Sequence, residues 1–258
     1  MTYYLWPSAL PRPGWLNMAI DAALLERAQA GERWVRLYAW EPTLSFGRHE
    51  PVDRRYDSSI IADLGLAVVR RPTGGRAVWH ADELTYALAA PVNEVGSLPE
   101  AYRRVHEWLR DALRTLGAPA ELAPRTRTVG VDAGACFASS AGGEVVVGGR
   151  KVVGSAQLRQ GTAMLQHGSI LLDGDQALVA RVTRGGVPTD RSMTLRQAVG
   201  RPVTWQEAAV AVRESVRAAW GTAVAPPPAL VDQLLARAAA TGARYRSERW
   251  IWAGATAG

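Results

Sequence analysis

Residues 144–173 read EVVVGGRKVVGSAQLRQGTAMLQHGSILLD. Two β-rich runs, EVVV and RKVVGSAQ, meet at Gly148 and Gly149, which supply the positive φ angles that a two-residue hairpin turn demands. A third run, roughly TAMLQHGSILLD, follows after another short turn. At period two, Lys151, Val153, Ser155 and Gln157 share one face of the second strand, while Arg150 and Val152 take the other. Strands joined by tight turns run antiparallel, so this stretch sets the sheet type. Upstream lie VRLYAW from Val35 and TLSFGR from Thr43, with Glu41 and Pro42 as hairpin-like punctuation between them, then LAVVRR from Leu66 and LTYALAAP from Leu84. Helices interrupt the strands irregularly. Trp15 to Ala30 carries an apolar face and stops at Gly31, and Ser97 with Glu100 forms a capping box ahead of Tyr102, Val105, Leu109, Ala112, Leu113 and Leu116. A regular alternation of strand and helix would predict a parallel doubly wound sheet. Its absence predicts an α+β fold with a mixed or antiparallel sheet flanked by helices.

Downstream of Thr194 the pattern is mostly helical, with a second capping box at Thr204 and Glu207 and a break at the three prolines 226–228. This tail reads as a lid or buttress, so the expectation is one catalytic domain over 1–258, with a core at 1–193 and a helical extension at 194–258. The chain of 258 residues is 48% hydrophobic and 21% charged, which excludes disorder, collagen-like repetition and a disulfide scaffold. No run approaches the roughly 18 apolar residues of a membrane span, and MTYYLWPSALPRPG lacks the basic start and apolar stretch of a signal peptide. A cytoplasmic protein is expected, with no membrane partner. Its single cysteine, Cys136, cannot form an intramolecular disulfide.

The formal charge is +6, which favours encounter with an acidic partner but is equally a solubility feature. No zinc-ligand spacing, basic heptad helix or aromatic RNA-binding signature is present, so no nucleic-acid partner is expected. Of the 30 basic residues, only Lys151 is lysine. A position that keeps lysine against such a bias either survives by chance or needs a compact ammonium that guanidinium cannot replace.

Two constellations carry chemistry. The first, RRPTGGRAVWH, runs from Arg70 to His80. Paired glycines let backbone N–H groups approach a ligand, yet an ordinary glycine turn beside surface arginines reads the same, and the spacing matches no established phosphate loop. His80 fits a structural histidine or a pocket residue. The second sets Cys136 fifteen residues before Lys151, with GSAQ and then His167, Gly168 and Ser169 beyond. A lone thiol is commonly a buried small hydrophobe. Cys136 instead lies in AGACFASSAGG, a run of small residues suited to a loop, and a nearby cation would favour its thiolate.

Together, RRPTGGRAVWHADELTYAL, the CF pair at Cys136, GRKVVGSAQLRQ and LQHGSILLD resemble the biotin/lipoate protein ligase superfamily, most closely its cysteine-dependent octanoyl-[acyl carrier protein]:protein N-octanoyltransferases. The resemblance runs in blocks from the first helix to Asp173. It implies octanoyl transfer from acyl carrier protein to a lysine of lipoyl domains, the glycine cleavage H protein among them, through a thioester on Cys136. It further implies catalytic Cys136 and Lys151 and an acyl tunnel lined by Arg70, Arg71, Thr73, Gly74, Gly75, Arg76, Ala77 and His80. Gly154, Ser155, Ala156, Gln157, His167, Gly168 and Ser169 would bind substrate, with the backbone amides around Gly154 and Ser155 completing an oxyanion site and His80 and His167 as candidates for shaping the carbonyl end. No metal, ATP or other cofactor is required by that chemistry, and a monomer is expected. The ASSAGG that follows Phe137 is smaller and richer in glycine than the family's usual loop. Two other readings stay open: an ATP-dependent lipoate ligase that forms an acyl-adenylate, and a non-catalytic acyl-binding sensor.

Overall fold

The computed structural model describes residues 2–124, 143–186 and 192–253. The chain opens with β1 (Thr2–Arg12), α1 (Gly14–Gln29), β2 (Trp34–Trp40) and β3 (Thr43–Phe46), followed by two short helices, α2 (Val52–Arg55) and α3 (Ser58–Asp63). Strands β4 (Ala67–Arg70), β5 (Val78–His80) and β6 (Glu83–Pro91) lead through α4 (Val92–Val95) into the long α5 (Leu98–Thr115). Strands β7 (Glu121–Leu122), β8 (Val145–Val147), β9 (Arg150–Lys151), β10 (Val153–Gln160) and β11 (Ala163–Leu171) come next. The rest is α6 (Ala177–Val182), α7 (Leu195–Val199), α8 (Trp205–Trp220), β12 (Thr222–Val224), α9 (Pro228–Thr241), α10 (Ala243–Arg246) and a π-helical turn, Arg249–Ala253.

The main sheet has the order β10-β11-β6-β2-β1-β12. Strand β1 runs parallel to β2 and β12, and every other neighbouring pair is antiparallel, which makes the sheet mixed as the sequence predicts. Every residue of β6 is buried, the signature of a strand covered on both faces. On one face Leu84, Tyr86, Leu88, Val35 and Leu37 meet residues of α5 and α8; on the other, Ala87, Ala89, Trp34 and Tyr38 meet residues of α1 and α9. The capping box at Ser97 and Glu100 starts α5, whose Val105, Leu109, Ala112 and Leu113 enter the first of these cores.

Two three-stranded sheets, β4-β3-β5 and β7-β8-β9, flank the main one. The β8–β9 hairpin turns through Gly148 (φ 55°) and Gly149 (φ 72°), as the glycine pair predicts. Two expectations change, and one strand is new. Strands β2 and β3 do not form a hairpin, because β1 and β6 already occupy both edges of β2; β3 instead pairs with β4 and β5. The run 150–157 is not one continuous strand. It leaves the small sheet after Lys151 and enters the main sheet at Val153, so the alternation read across Val152 is interrupted. The N-terminal residues, unassigned from sequence, form β1.

Residues beyond 194 are interleaved with the core. Helix α8 packs on α5 and α9 on α1, β12 extends the main sheet, and the terminal π-helical turn rests on β4.

Candidate active site

A cleft of about 320 Å³, counting its open mouth, lies between β5, β10 and β11 and is lined by Arg71, Val78 and His80 on one wall and by Gly154–Ala156 and His167–Ser169 on the other. Tyr38, Trp40 and Thr85 complete its lining. Pairing of β10 with β11 sets Gly154 opposite Ser169, Ser155 opposite Gly168 and Ala156 opposite His167, which brings two separate sequence blocks onto one surface. Gly168 allows this approach. A Cβ there would fall 2.4 Å from the Gly154 carbonyl oxygen and 2.6 Å from Ser155 Oγ.

Three buried histidines hold the walls in the same manner. His167 Nδ1 lies 2.9 Å from Asp21 Oδ2 and its Nε2 lies 2.6 Å from Thr73 Oγ1, so the ring ties β11 to α1 and to the glycine motif. Burial pushes the His167 imidazole below its ordinary value although Asp21 opposes this, which favours a neutral ring that donates through Nδ1 and accepts from Thr73. Asp21 is itself wholly buried and is matched by Arg36 at 2.8 Å and by the Tyr38 hydroxyl at 2.8 Å. Burial raises its carboxyl, but the hydrogen bond from His167 and the charge of Arg36 outweigh that and leave it below the usual range.

His80 stacks on Trp40 at 3.9 Å, with Nδ1 2.8 Å from Glu83 Oε1 and Nε2 2.6 Å from Ser45 Oγ. Ser169 donates to the same Glu83 oxygen at 2.8 Å. His106, on α5, places Nδ1 2.7 Å from the Gly143 carbonyl and Nε2 2.8 Å from Ser155 Oγ. A carbonyl can only accept, so Nδ1 carries the hydrogen. Burial lowers His106 to about 4, and the nearby Lys151 charge adds to that shift.

Lys151 is buried, with Nζ 2.5 Å from Glu144 Oε1. It stands beside the cleft at the His106 end rather than among the lining residues. Glu144 in turn directs its carbonyl to the Ala123 N–H at 2.7 Å, while Gly143 N–H donates to Ala123 O at 2.8 Å. Cys136 lies outside the described residues.

Within the Arg70–His80 motif, only Arg71, Val78 and His80 reach the cleft. Arg70 turns away: its guanidinium donates to the carbonyls of Gly47, Arg48, Glu50, Ile251 and Trp252 at 2.8–3.2 Å. Thr73 stands behind His167, and the Gly75 carbonyl packs where a Cβ on Gly47 would lie 1.8 Å away. The backbone of Gly74 and Arg76 holds Arg71 through their carbonyls, Arg76 approaches Glu50 at 3.4 Å, and Ala77 joins the core around Leu44 and Phe46. These residues support the wall instead of lining it. Gln157 likewise points to the Leu98 carbonyl and to Gln166.

Sequence reasoning missed Asp21, Arg36, Glu83, His106 and Glu144. A signal existed for two of them. Asp21 interrupts the apolar run of α1, and His106 lies four residues after Tyr102 on the face of α5 that enters the core.

The model of the lipoyl protein ligase A/B catalytic domain matches residues 13–217. The chain belongs to that family. Octanoyltransferase LipM of Symbiobacterium thermophilum is 36% identical, over 93% of this chain and 94% of its own length. The LipM of Kyrpidia tusciae is also 36% identical, over 91% and 93%. The fold of this lipoyl protein ligase A/B catalytic domain is shared with a lipoate-protein ligase A crystallised with ATP, at TM-score 0.81 and 19% identity over 98% of this chain and 99% of the other. It is also shared with a bipartite lipoate protein ligase from Thermoplasma acidophilum, at TM-score 0.76 and 19% identity over 98% and 96%. No helix among the described residues is long and apolar enough to cross a membrane.

Proposed function

We propose that this protein transfers an octanoyl group, in lipoate biosynthesis, from octanoyl-acyl carrier protein to a lysine of a lipoyl domain by way of a thioester on Cys136. The observation that carries the reading is the likeness to octanoyltransferases along nearly the whole chain. The first step exchanges one thioester for another and is nearly balanced; the second forms an amide and runs downhill. Splitting the transfer in two is covalent catalysis, which needs a thiolate and predicts ping-pong kinetics.

Lys151 as an ammonium would favour the thiolate and stabilise each oxyanion, with the backbone amides of Gly154 and Ser155 as further donors. Residues 194–258 are read as part of the same catalytic unit, and the acceptors include the glycine cleavage H protein. The enzyme acts as a cytoplasmic monomer.

Intact-mass spectrometry after mixing the protein with octanoyl-acyl carrier protein, without ATP, tests the relay. The expected result is one octanoyl adduct, located at Cys136 and absent from Cys136→Ser. An unmodified wild-type mass, with transfer appearing only when ATP is added, overturns it in favour of a ligase.

A further inference from the structure

The hydrogen bonds beside Lys151 have a single consistent direction. Gln157 Nε2 donates to Gln166 Oε1 at 2.8 Å, and Gln166 Nε2 donates to Tyr86 OH at 3.0 Å. Tyr86 OH lies 2.6 Å from Ser155 Oγ, and Ser155 Oγ lies 2.8 Å from His106 Nε2. His106 Nδ1–H is committed to the Gly143 carbonyl, so a neutral ring has only a lone pair to offer Ser155. Burial favours that neutral ring and also raises the Tyr86 phenol, which keeps its proton. The hydroxyl hydrogen of Ser155 therefore goes to His106, and the Tyr86 hydroxyl donates to Ser155. One lone pair of Ser155 Oγ remains, and Ser155 lines the cleft. The serine is thus set as an acceptor, with no hydrogen left to give an oxyanion. A group rich in N–H donors and poor in acceptors suits it: the amine of an incoming lysine.

We propose that Ser155 accepts a hydrogen bond from the nucleophilic amine in the amide-forming step, and that His106 is the positioning residue that fixes Ser155 in the accepting state. The inference deepens the octanoyl-transfer reading and rests on it. In the step itself the amine nitrogen bonds to the thioester carbonyl carbon and the C–S bond breaks. Its electron pair returns to the Cys136 sulfur, and one amine proton ends on that sulfur. His106 takes up no proton. Among the described residues, the charged and titratable groups around it are Lys151, Glu144, Tyr86 and Tyr102, whose ring lies 4.0 Å from the imidazole.

The two half-reactions separate the roles. Acylation of the enzyme by octanoyl-acyl carrier protein is followed by intact mass, and the isolated acyl-enzyme is then mixed with a lipoyl domain. Ser155→Ala and His106→Leu should pass the octanoyl group to lysine about tenfold more slowly, the loss expected for one hydrogen bond, and should slow acylation by a much smaller factor. His106→Gln, whose side-chain carbonyl can still accept from Ser155, should restore much of the transfer rate. Ser155→Ala leaves every other wall residue in place, so it serves if the His106 variants do not fold. Equal slowing of both half-reactions, or a Ser155→Ala acyl-enzyme that transfers as fast as wild type, overturns the inference. A wild-type protein that forms no acyl-enzyme overturns the relay itself, and this inference with it.

Discussion

Lys151 is the one lysine among 30 basic residues, and its surroundings explain why an arginine there would not do. The ammonium is buried against Glu144 at 2.5 Å. A guanidinium needs more volume and a planar fork of partners, and overfilling a packed site costs about 1–3 kcal/mol. Lys151→Arg should therefore keep the charge yet lose both half-reactions by roughly 10²–10³-fold, the scale of removing one oxyanion donor. Single-turnover acylation rates measure this, and a variant within tenfold of wild type would mean that charge alone is sufficient. The buried histidines add a second effect. His106 falls from an ordinary 6.5 to about 4, so between those values the unfolded chain binds a proton that the folded one refuses. Its contribution is complete above about pH 6.5 and is lost as pH drops toward 4, about 3 kcal/mol in all. His167 is shifted the same way, and Asp21, held below its ordinary 3.8, loses its contribution at still lower pH. Melting temperature should decline from pH 7 to 4.5, and His106→Gln should flatten that slope; an unchanged slope would remove His106 from the explanation.

The β10–β11 pair shows how strands impose the site. Gly168 sits opposite Ser155, and a methyl on it would meet the Gly154 carbonyl, Ser155 Oγ and Tyr86 Cε1 within 2.8 Å. Two of those atoms belong to the network behind the cleft and one to the neighbouring backbone, so relief requires the strands to part. Gly168→Ala should cost about 1–3 kcal/mol, a melting-temperature drop of roughly 2–4 °C for each kcal/mol. A thermal melt coincident with wild type would show that the strands yield more easily than this packing allows. The same pair was legible in the sequence as two β-rich runs, RKVVGSAQ and TAMLQHGSILLD, separated by a short turn. Helices α1, α5 and α8 were legible through periodicity and caps. Strand β1 was not, since Pro7 and Pro11 argue against a strand. Its partner β12 covers only Thr2–Tyr4, so the prolines fall where one side of β1 is open, near the register break between Ser8 and Pro11. The β2–β3 connection misled for a related reason: a local turn signal cannot report that both edges of β2 are taken by distant strands. In the motif, glycines and arginines announced a built loop, but which arginine faces the cleft depends on carbonyls as remote as Ile251 and Trp252.

At the scale of the whole molecule, late segments of the chain close on early ones: β12 pairs with β1 at the edge of the main sheet away from β10 and β11, and the π-helical turn Arg249–Ala253 holds Arg70 while Trp250 donates to its carbonyl. The remaining global property is the charge of +6. If the enzyme must receive an acidic carrier protein and then an acidic lipoyl domain, a long-range field speeds both encounters, and salt weakens that field as the screening length falls from about 30 Å at 0.01 M to about 10 Å at 0.1 M. A small neutral octanoyl thioester feels no such field. Raising ionic strength from about 0.01 to about 0.3 M should lower kcat/KM for octanoyl-acyl carrier protein several-fold and leave kcat/KM for the small thioester nearly constant. Equal salt sensitivity of the two donors would instead place the effect in the acylation chemistry. Insensitivity of both would make the arginine excess a matter of solubility, with docking governed by contacts at short range.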